Sequence, residues 1–489
     1  MYYYIFVHMQ VLSTWFLQDT TWKVPKVNVS VKLETLQTLV SPTGVALTDV
    51  FCACLKEILS EFSYYADCAG LMYNVSLAMG GLELTFGGYH DKLPVLVNKV
   101  LAEMKKMGGG TPCPSDCFLR MKEKVLRSYY NTRFSQPYSH CILGSSTCLE
   151  DPRWSSDEKY AALTASSLSD FHTFSAQLVR QMKADVLVHG NATAEEAKVL
   201  TASIVAALDF LPLSLSQEPL RRNVCLAKGT EYIYRQHSKT MNAKEPNSAV
   251  EVILFVGNRE GRSADLDTPV SAPLSATSTS DNGNSSKQNS KIANESILEL
   301  LVHLISEPAF DQLRTKEQLG YIVHTSMKKI GPLCGLQMIV QSSHKDPAYL
   351  DTRIELFLES FRVTLGAFTE EQLKTNIQAV IEKLLEKPKN LDQESMRHWE
   401  EIKNAFYLFD RKERLAKHLR NVRLSDCTEF FDCYISAQAA ERRKVSSQLY
   451  GKGTKYPKAE AGSKKVIIKN PIEFKRAMSL EPMCTFSAN

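Results

Sequence analysis

Residues 306–321 read Ser306-Glu307-Pro308-Ala309-Phe310-Asp311-Gln312-Leu313-Arg314-Thr315-Lys316-Glu317-Gln318-Leu319-Gly320-Tyr321. An apolar run of helical type precedes the stretch and a strand-type alternation follows it, so it marks a helix-to-strand turn. Arg314 and Tyr321 stand seven residues apart beside that turn.

Working outward, the same signals occur twice. Ile58-Leu59-Ser60-Glu61 closes an apolar helix, residues 69–75 open a strand, and Gly81-Leu82-Glu83-Leu84-Thr85-Phe86 supplies its hairpin partner. Leu304-Ile305-Ser306-Glu307 then closes a second helix, Leu319-Gly320-Tyr321-Ile322-Val323-His324 opens a strand, and Gly335-Leu336-Gln337-Met338-Ile339-Val340 answers it. Helical patterns follow both hairpins, at 93–106 and 347–365. The common order and the shared Ser-Glu and Gly markers predict a duplicated domain.

The other elements fit that plan. Residues 27–33 alternate with period two, as a half-buried strand does. Residues 185–189 form a short apolar strand, and Thr193 with Glu196 has capping-box spacing for the next helix. Residues 250–256 are a further strand. Thr369 and Gln372 cap a helix that runs to about Glu386, before Pro388, and 390–440 is mostly helical. The expected fold class is α+β: two homologous domains, each an antiparallel-rich sheet covered by helices on one face. Their expected bounds are 12–257 and 294–489. Residues 258–293, rich in Ser, Thr, Asn and Asp, bury too little apolar surface to offset ordering entropy and are expected to be a disordered insertion or linker.

A chain of 489 residues, 44% hydrophobic and 23% charged, has the composition of a soluble globular protein. Its net charge of +4, from 58 basic and 54 acidic residues, is too balanced for a nucleic-acid partner or a strongly anionic membrane. No apolar run reaches the ~20 residues that span a bilayer. The apolar start, residues 1–8, has no basic residue before it and is not expected to be a signal peptide. Cys52, Cys54, Cys225 and Cys334 sit in apolar patterns and read as small buried hydrophobes in a reducing compartment, which predicts a cytoplasmic location. The Asn-x-Ser/Thr triplets then read as chance matches. Cys113 and Cys117 flank Pro114, and Cys427 and Cys433 sit on a helix; neither pair has a second pair at zinc-finger spacing.

A zinc peptidase needs two imidazoles on one helix face and a carboxylate near the bound water. His303 has Glu307 four residues on, and His398 has Glu400 and Glu401, but neither has a second histidine at ligand spacing. The sequence therefore offers no metal set and no complete catalytic set. No nucleophile elbow, Walker loop or dinucleotide fingerprint is present. His140 and Cys141 are adjacent, and neighbours on a chain rarely face each other as base and nucleophile. What remains is Arg314, a charged fork of donors, and Tyr321, a hydroxyl able to donate to an oxyanion. Taken alone, they read as a surface ion pair of Arg314 with Glu317 and a core tyrosine.

The chain resembles the C-terminal half of insulysin-type members of the pitrilysin family of zinc metallopeptidases. The resemblance starts at Trp15-Phe-Leu-Gln-Asp-Thr-Thr-Trp-Lys-Val-Pro25 and passes through His189-Gly190-Asn191 and residues 307–321. It continues at Glu386-Lys387-Pro388-Lys389 and Glu473-Phe474-Lys475-Arg476, missing only the first dozen residues and 258–293. It implies that the two domains form one half of a clamshell. That half closes over an N-terminal half carrying His-x-x-Glu-His and zinc, around a chamber for short peptides. It also implies that Arg314 and Tyr321 match residues reaching the scissile bond, and that Phe310 matches an aromatic position lining the substrate pocket. Zinc belongs to the family's other half, so no cofactor carries over to this chain. Asn390 and Asp392 leave the Lys387-Pro388-Lys389 turn less basic than a strong anion site.

The function so implied is the substrate-enclosing C-terminal half of an insulysin-like zinc metalloendopeptidase. It would be inactive alone, from a truncated gene or transcript or a split protein. Its partners would be a peptide substrate and either a zinc-bearing N-terminal half or a second copy. The alternative is a non-catalytic binding or assembly protein derived from the same family.

Overall fold

Val27, Val29, Val31 and Leu33 alternate with polar residues along one strand, and this period of two puts all four in the same core. The computed structural model describes residues 4–9, 11–78, 80–109, 113–213, 221–238, 242–261, 284–457 and 465–482. The first unit runs β1 (Tyr4–Met9), β2 (Leu12–Gln18), β3 (Lys26–Glu34), α1 (Pro42–Ile58), α2 (Ser60–Cys68), β4 (Met72–Ala78) and β5 (Gly81–Tyr89). Next come α3 (Leu93–Gly109), α4 (Ser115–Asn131), α5 (Pro137–Leu149), β6 (Glu150–Asp151), α6 (Ser156–Ala165), α7 (Leu168–Leu178), β7 (Gln181–Gly190) and α8 (Ala194–Leu208). Two short strands follow, β8 (Leu211–Pro212) and β9 (Arg222–Val224).

The second unit runs β10 (Thr230–His237), β11 (Ser248–Asn258), α9 (Asn284–Ala309), a π-helical turn (Phe310–Lys316), β12 (Ile322–Ile330) and β13 (Leu333–Ser342). It continues with α10 (Pro347–Gly366), α11 (Glu370–Leu384), α12 (Leu391–Lys403), α13 (Arg411–Leu419), α14 (Leu424–Tyr434) and β14 (Arg443–Tyr450). It closes with β15 (Lys465–Ile468), α15 (Pro471–Ala477) and β16 (Leu480–Pro482).

The two sheets have one topology. In the first the order is β2-β7-β3-β5-β4, in the second β10-β14-β11-β13-β12. In each, the first pair is parallel and the remaining pairs are antiparallel. The strands occur in the same chain order in both, so the duplication read from the Ser-Glu and Gly markers is a duplication of the whole sheet. β1 extends the first sheet beside β2, and β15 extends the second beside β10.

The expectation of helices on one face only is corrected. β7 is buried without alternation from Ala184 to Gly190, and β11 from Ser248 to Val256, as strands covered on both faces are. On β11, Val250, Val252, Leu254 and Val256 share a core with Leu298 and Leu301 of α9 and Phe357 of α10. Ile253 and Phe255 face the other way, onto Cys148 and Leu149 of α5. On the first sheet, Trp15 and Leu187 turn away from the main core and meet Trp399 and Ile402 of α12. Thus α5 of the first unit lies on the second sheet, and α12 of the second unit lies on the first. Each is the third long helix after its hairpin, so the units exchange equivalent helices.

Polar contacts fix both exchanges. Ser145 of α5 donates to buried Glu251 at 2.6 Å, and Lys328 pairs with the same carboxylate at 2.9 Å. Trp22 Nε1 donates to Glu394 of α12 at 2.7 Å, and Asn28 to Asp392 at 2.8 Å. Buried His189 meets Ser395 at 2.8 Å, with the His398 ring 5.9 Å from its own.

Two further expectations change. β10 and β11 belong to the second sheet, so a boundary at 257 would assign both to the wrong unit; the sheets divide the chain before Thr230. Residues 284–293 of the expected linker are the start of α9, and Ile292 is buried against Leu408 and Leu415. The expected disorder of 262–283 lies outside the described residues.

The α12 seam makes a pH prediction. Burial pushes His189 down to about 4 and His398 down to about 3, the latter also through its proximity to His189. Asp19 favours the His189 cation, and Arg397 disfavours that of His398. Below the ordinary value of 6.5 the unfolded chain binds protons that the folded chain refuses, so stability is full above it and falls as pH drops toward 4. Urea unfolding at pH 7 and pH 5 checks this. The midpoint should fall with acid, and fall less in the double variant His189→Gln/His398→Gln.

Candidate functional site

Pro308 lies within α9, and the helix does not end at Ser306-Glu307 as the sequence suggested. Ser306 Oγ donates to the Val302 carbonyl at 2.5 Å, and the chain then widens into the π turn. A π turn of this kind relieves a helix that proline has disturbed, and such turns concentrate at functional positions. The Lys316–Asp311 ion pair, at 2.8 Å, bridges residues five apart, as the wider turn requires. The turn closes with Leu319 N–H bonded to the Leu313 carbonyl at 3.0 Å and Gln318 left-handed at φ 50°. That is a helix-ending motif usually given to glycine.

Gly320 follows, pressed against β13. A Cβ there would stand 1.8 Å from the Gln341 carbonyl oxygen, so residue 320 has no room for a side chain. This contact fixes where Tyr321 leaves the turn.

The turn brings together the three residues singled out from the sequence. The Arg314 guanidinium lies over the Phe310 ring at 4.7 Å and over the Tyr321 ring at 4.6 Å. Phe310 is 42% exposed and Tyr321 78% exposed, so the reading of Tyr321 as a core residue is corrected. The surface ion pair with Glu317 is corrected as well. Glu317 is held by both arms of Arg353, each at 2.7 Å, and by Gln312 at 2.8 Å. The Arg353 guanidinium draws the Glu317 carboxyl below its ordinary value. Among the described residues, Arg314 has no carboxylate partner. A guanidinium covered by aromatic faces is oriented while its N–H donors stay available to a ligand. Arg314 can therefore grip a carbonyl or carboxylate, and the Tyr321 hydroxyl beside it can donate to developing negative charge.

A cavity of about 520 Å³ lies elsewhere, walled in part by Lys32, Trp154, Arg221 and Lys403. Its cations have partners, with Arg221 on Glu150 at 2.6 Å and Lys403 on Glu400 at 2.7 Å. Cys141 is buried against Ala249 and Leu449, where burial pushes its thiol up, so it is no nucleophile. Among the described residues, the only metal-ligating side chains that converge in a group of three or more are Cys54, Cys113 and Cys117. Three buried thiols do not fit the histidine and carboxylate set that activates water on zinc. The sequence reading missed this cluster because Cys54 lies 59 residues before Cys113 and bears no motif. It missed the Arg353–Glu317 pair for the same reason.

The class to which the fold and the matched segments point is the M16 type of peptidase. Residues 4–162 match the family model described as the middle or third domain of peptidase M16, and residues 300–399 match the PQQ synthase PqqF-like C-terminal lobe domain 4. The chain belongs to the M16 peptidase family, with relatives of the insulin-degrading type. It is 30% identical to the Arabidopsis thaliana insulin-degrading enzyme-like 1, peroxisomal, over 95% of this chain and 45% of that protein. To the human insulin-degrading enzyme it is 29% identical, over 96% of this chain and 44% of the relative. The chain thus spans about half the length of these relatives. The crystal structure of pitrilysin superimposes with a TM-score of 0.81 at 18% identity, over 99% of this chain and 47% of that one. A peptidase M16 inactive domain from Pseudomonas fluorescens superimposes at 0.61 with 12% identity, over 93% of this chain and 100% of that one.

Gly320→Ala tests the frame of the site. Overpacking against backbone should cost about 1–3 kcal/mol, read as a lower denaturant midpoint, and Tyr321 should lose its stacking on Arg314.

Proposed function

We propose that this chain is the C-terminal, substrate-enclosing half of an insulysin-like zinc metalloendopeptidase acting on short peptides. The observation that carries this reading is the Arg314 guanidinium set between Phe310 and Tyr321, with no carboxylate partner among the described residues. In the proposed reaction Arg314 holds the peptide backbone at the scissile carbonyl. The Tyr321 hydroxyl donates to the oxygen as it gains charge, and Phe310 packs on the adjoining side chain. Zinc, bound by a separate N-terminal half, would supply the activated water. This chain contributes binding and part of the charge stabilisation, and alone it should not turn peptides over. A cytoplasmic location is part of the proposal, supported by free thiols at every described cysteine. Among the described residues, no helix is long and apolar enough to cross a membrane.

The test mixes the purified chain with a separately expressed zinc-bearing half of an insulin-degrading enzyme and follows a fluorogenic peptide. Cleavage is expected in the mixture and not with either half alone. Arg314→Ala should lower kcat by about 10²–10³-fold, and Tyr321→Phe by a similar or smaller factor, the usual cost of removing one oxyanion donor. Turnover by this chain and zinc alone would overturn the proposal, as would a mixture indifferent to Arg314→Ala. A stable self-paired dimer that ignores the zinc-bearing half would favour the binding or assembly role instead.

A further inference from the structure

Cys54 lies near the end of α1, Cys113 precedes α4, and Cys117 lies in the first turn of α4. All three are buried, at 0%, 3% and 5% exposure, and their sulfurs lie within 4.8 Å of one another. They sit in the first unit's apolar core, with Phe118 and Phe171 part of the same core and their rings 5.0 Å apart. One turn beyond the thiols on each helix, Glu57 and Arg120 pair at 2.7 Å and clamp α1 to α4. His172 Nε2 meets the Cys113 carbonyl at 3.1 Å and fixes the loop. The convergence is therefore held from both helices and from α7.

We propose that Cys54, Cys113 and Cys117 form a thiolate site for a soft monovalent metal ion, of the Cu(I) class. Three sulfurs within 4.8 Å of one another share a centre no more than about 2.8 Å from each, so a shift of about half an ångström per thiol brings all three to a metal–sulfur bond of about 2.3 Å. Structural zinc asks for a fourth protein ligand. Here Glu57 is committed to Arg120, and His172 to a carbonyl. Thiolate sulfur in a site of low coordination number is the setting that selects Cu(I).

Binding replaces two thiol protons, which leave to solvent, and the Cys54 thiol completes the site as a neutral third donor. No change of oxidation state is involved. The site stands apart from the Arg314 turn, and its test does not depend on peptidase activity.

The reduced full chain is titrated anaerobically with Cu(I) against bicinchoninate, with Zn(II) as competitor. The wild type should retain one equivalent of Cu(I), with thiolate-to-metal absorption in the near ultraviolet and a sulfur-only shell in X-ray absorption. Cys113→Ser and Cys117→Ser should lose that equivalent, while Cys68→Ser, at an exposed thiol, should keep it. Failure of the wild type to retain one equivalent overturns the proposal whether or not the variants fold. So does retention in both Cys113→Ser and Cys117→Ser, preferential uptake of Zn(II), or peptide mapping that finds two of the three cysteines joined in a disulfide.

Discussion

The structure depends on the reciprocal exchange of α5 and α12. A sheet with one open apolar face must bury it, and here each open face is closed by the third long helix of the other unit. The two seams are built differently. The α5 seam centres on a carboxylate, since Glu251 is fully buried and answered by Ser145, Lys328 and Gln337. Removing one partner from such a buried pair costs far more than forming it contributes, so that seam acts mainly as a register. The α12 seam is aromatic, with Trp15 stacked on Tyr407 at 4.9 Å and edge-on to Phe409 at 5.4 Å. Burial of that aromatic surface adds to the adhesion of the apolar contacts at the α5 seam, Cys148 and Leu149 on Ile253 and Phe255. Neither unit can be removed without exposing the other's sheet.

The exchange also reaches the candidate site. At the entry to α5, Tyr138 N–H donates to the Gln341 side chain at 3.2 Å, and that side chain donates to Gln136 at 3.3 Å. The backbone oxygen of the same Gln341 is the atom against which Gly320 is pressed. One residue of β13 thus joins the first unit's helix to the position of Tyr321. The turn carrying Arg314 is exposed, and its frame rests on this inter-unit packing as well as on the turn's own hydrogen bonds. This is why a surface residue can keep a fixed geometry without a carboxylate to hold it.

Much of this was legible in the sequence, and for local reasons. Period-two alternation at 27–33 and the caps at Thr193 and Thr369 are written within a few residues, and they give the strand and helices observed. Gly81 and Gly335 marked the duplicated hairpins because a Cβ at either would meet a neighbouring strand's backbone, the Leu33 carbonyl at 2.0 Å or the Leu254 carbonyl at 2.4 Å. What was not legible is non-local. The exchange of α5 and α12 gives no periodicity of its own. The strands beneath them lose alternation, which a sequence reading takes for generic apolar runs. The partner of Glu317 lies 36 residues on, so spacing pointed to Arg314 instead. The three thiols share no motif because two helices from separate stretches deliver them.

The mistaken pairing of Arg314 with Glu317 shows what the site is built to do. Had the two paired, the guanidinium would be neutralised and its donors occupied. Instead Arg353 takes Glu317, with both donors at 2.7 Å. Glu317 is thereby satisfied within the scaffold, and Arg314 lies over two rings with no carboxylate partner among the described residues. A ring face orients a cation at a modest energy, about 0.5–1 kcal/mol where solvent reaches it, against the stronger and more committing bond of a carboxylate. An arginine so placed is ordered but still able to exchange its surroundings for a ligand's oxygen. The π turn carries both Phe310 and Arg314, and from it Arg314 lies over the Phe310 ring and over the ring of the first residue after Gly320. Pairing the acid elsewhere, widening the helix and denying residue 320 a side chain act together, and their common result is a charged fork held ready at the surface.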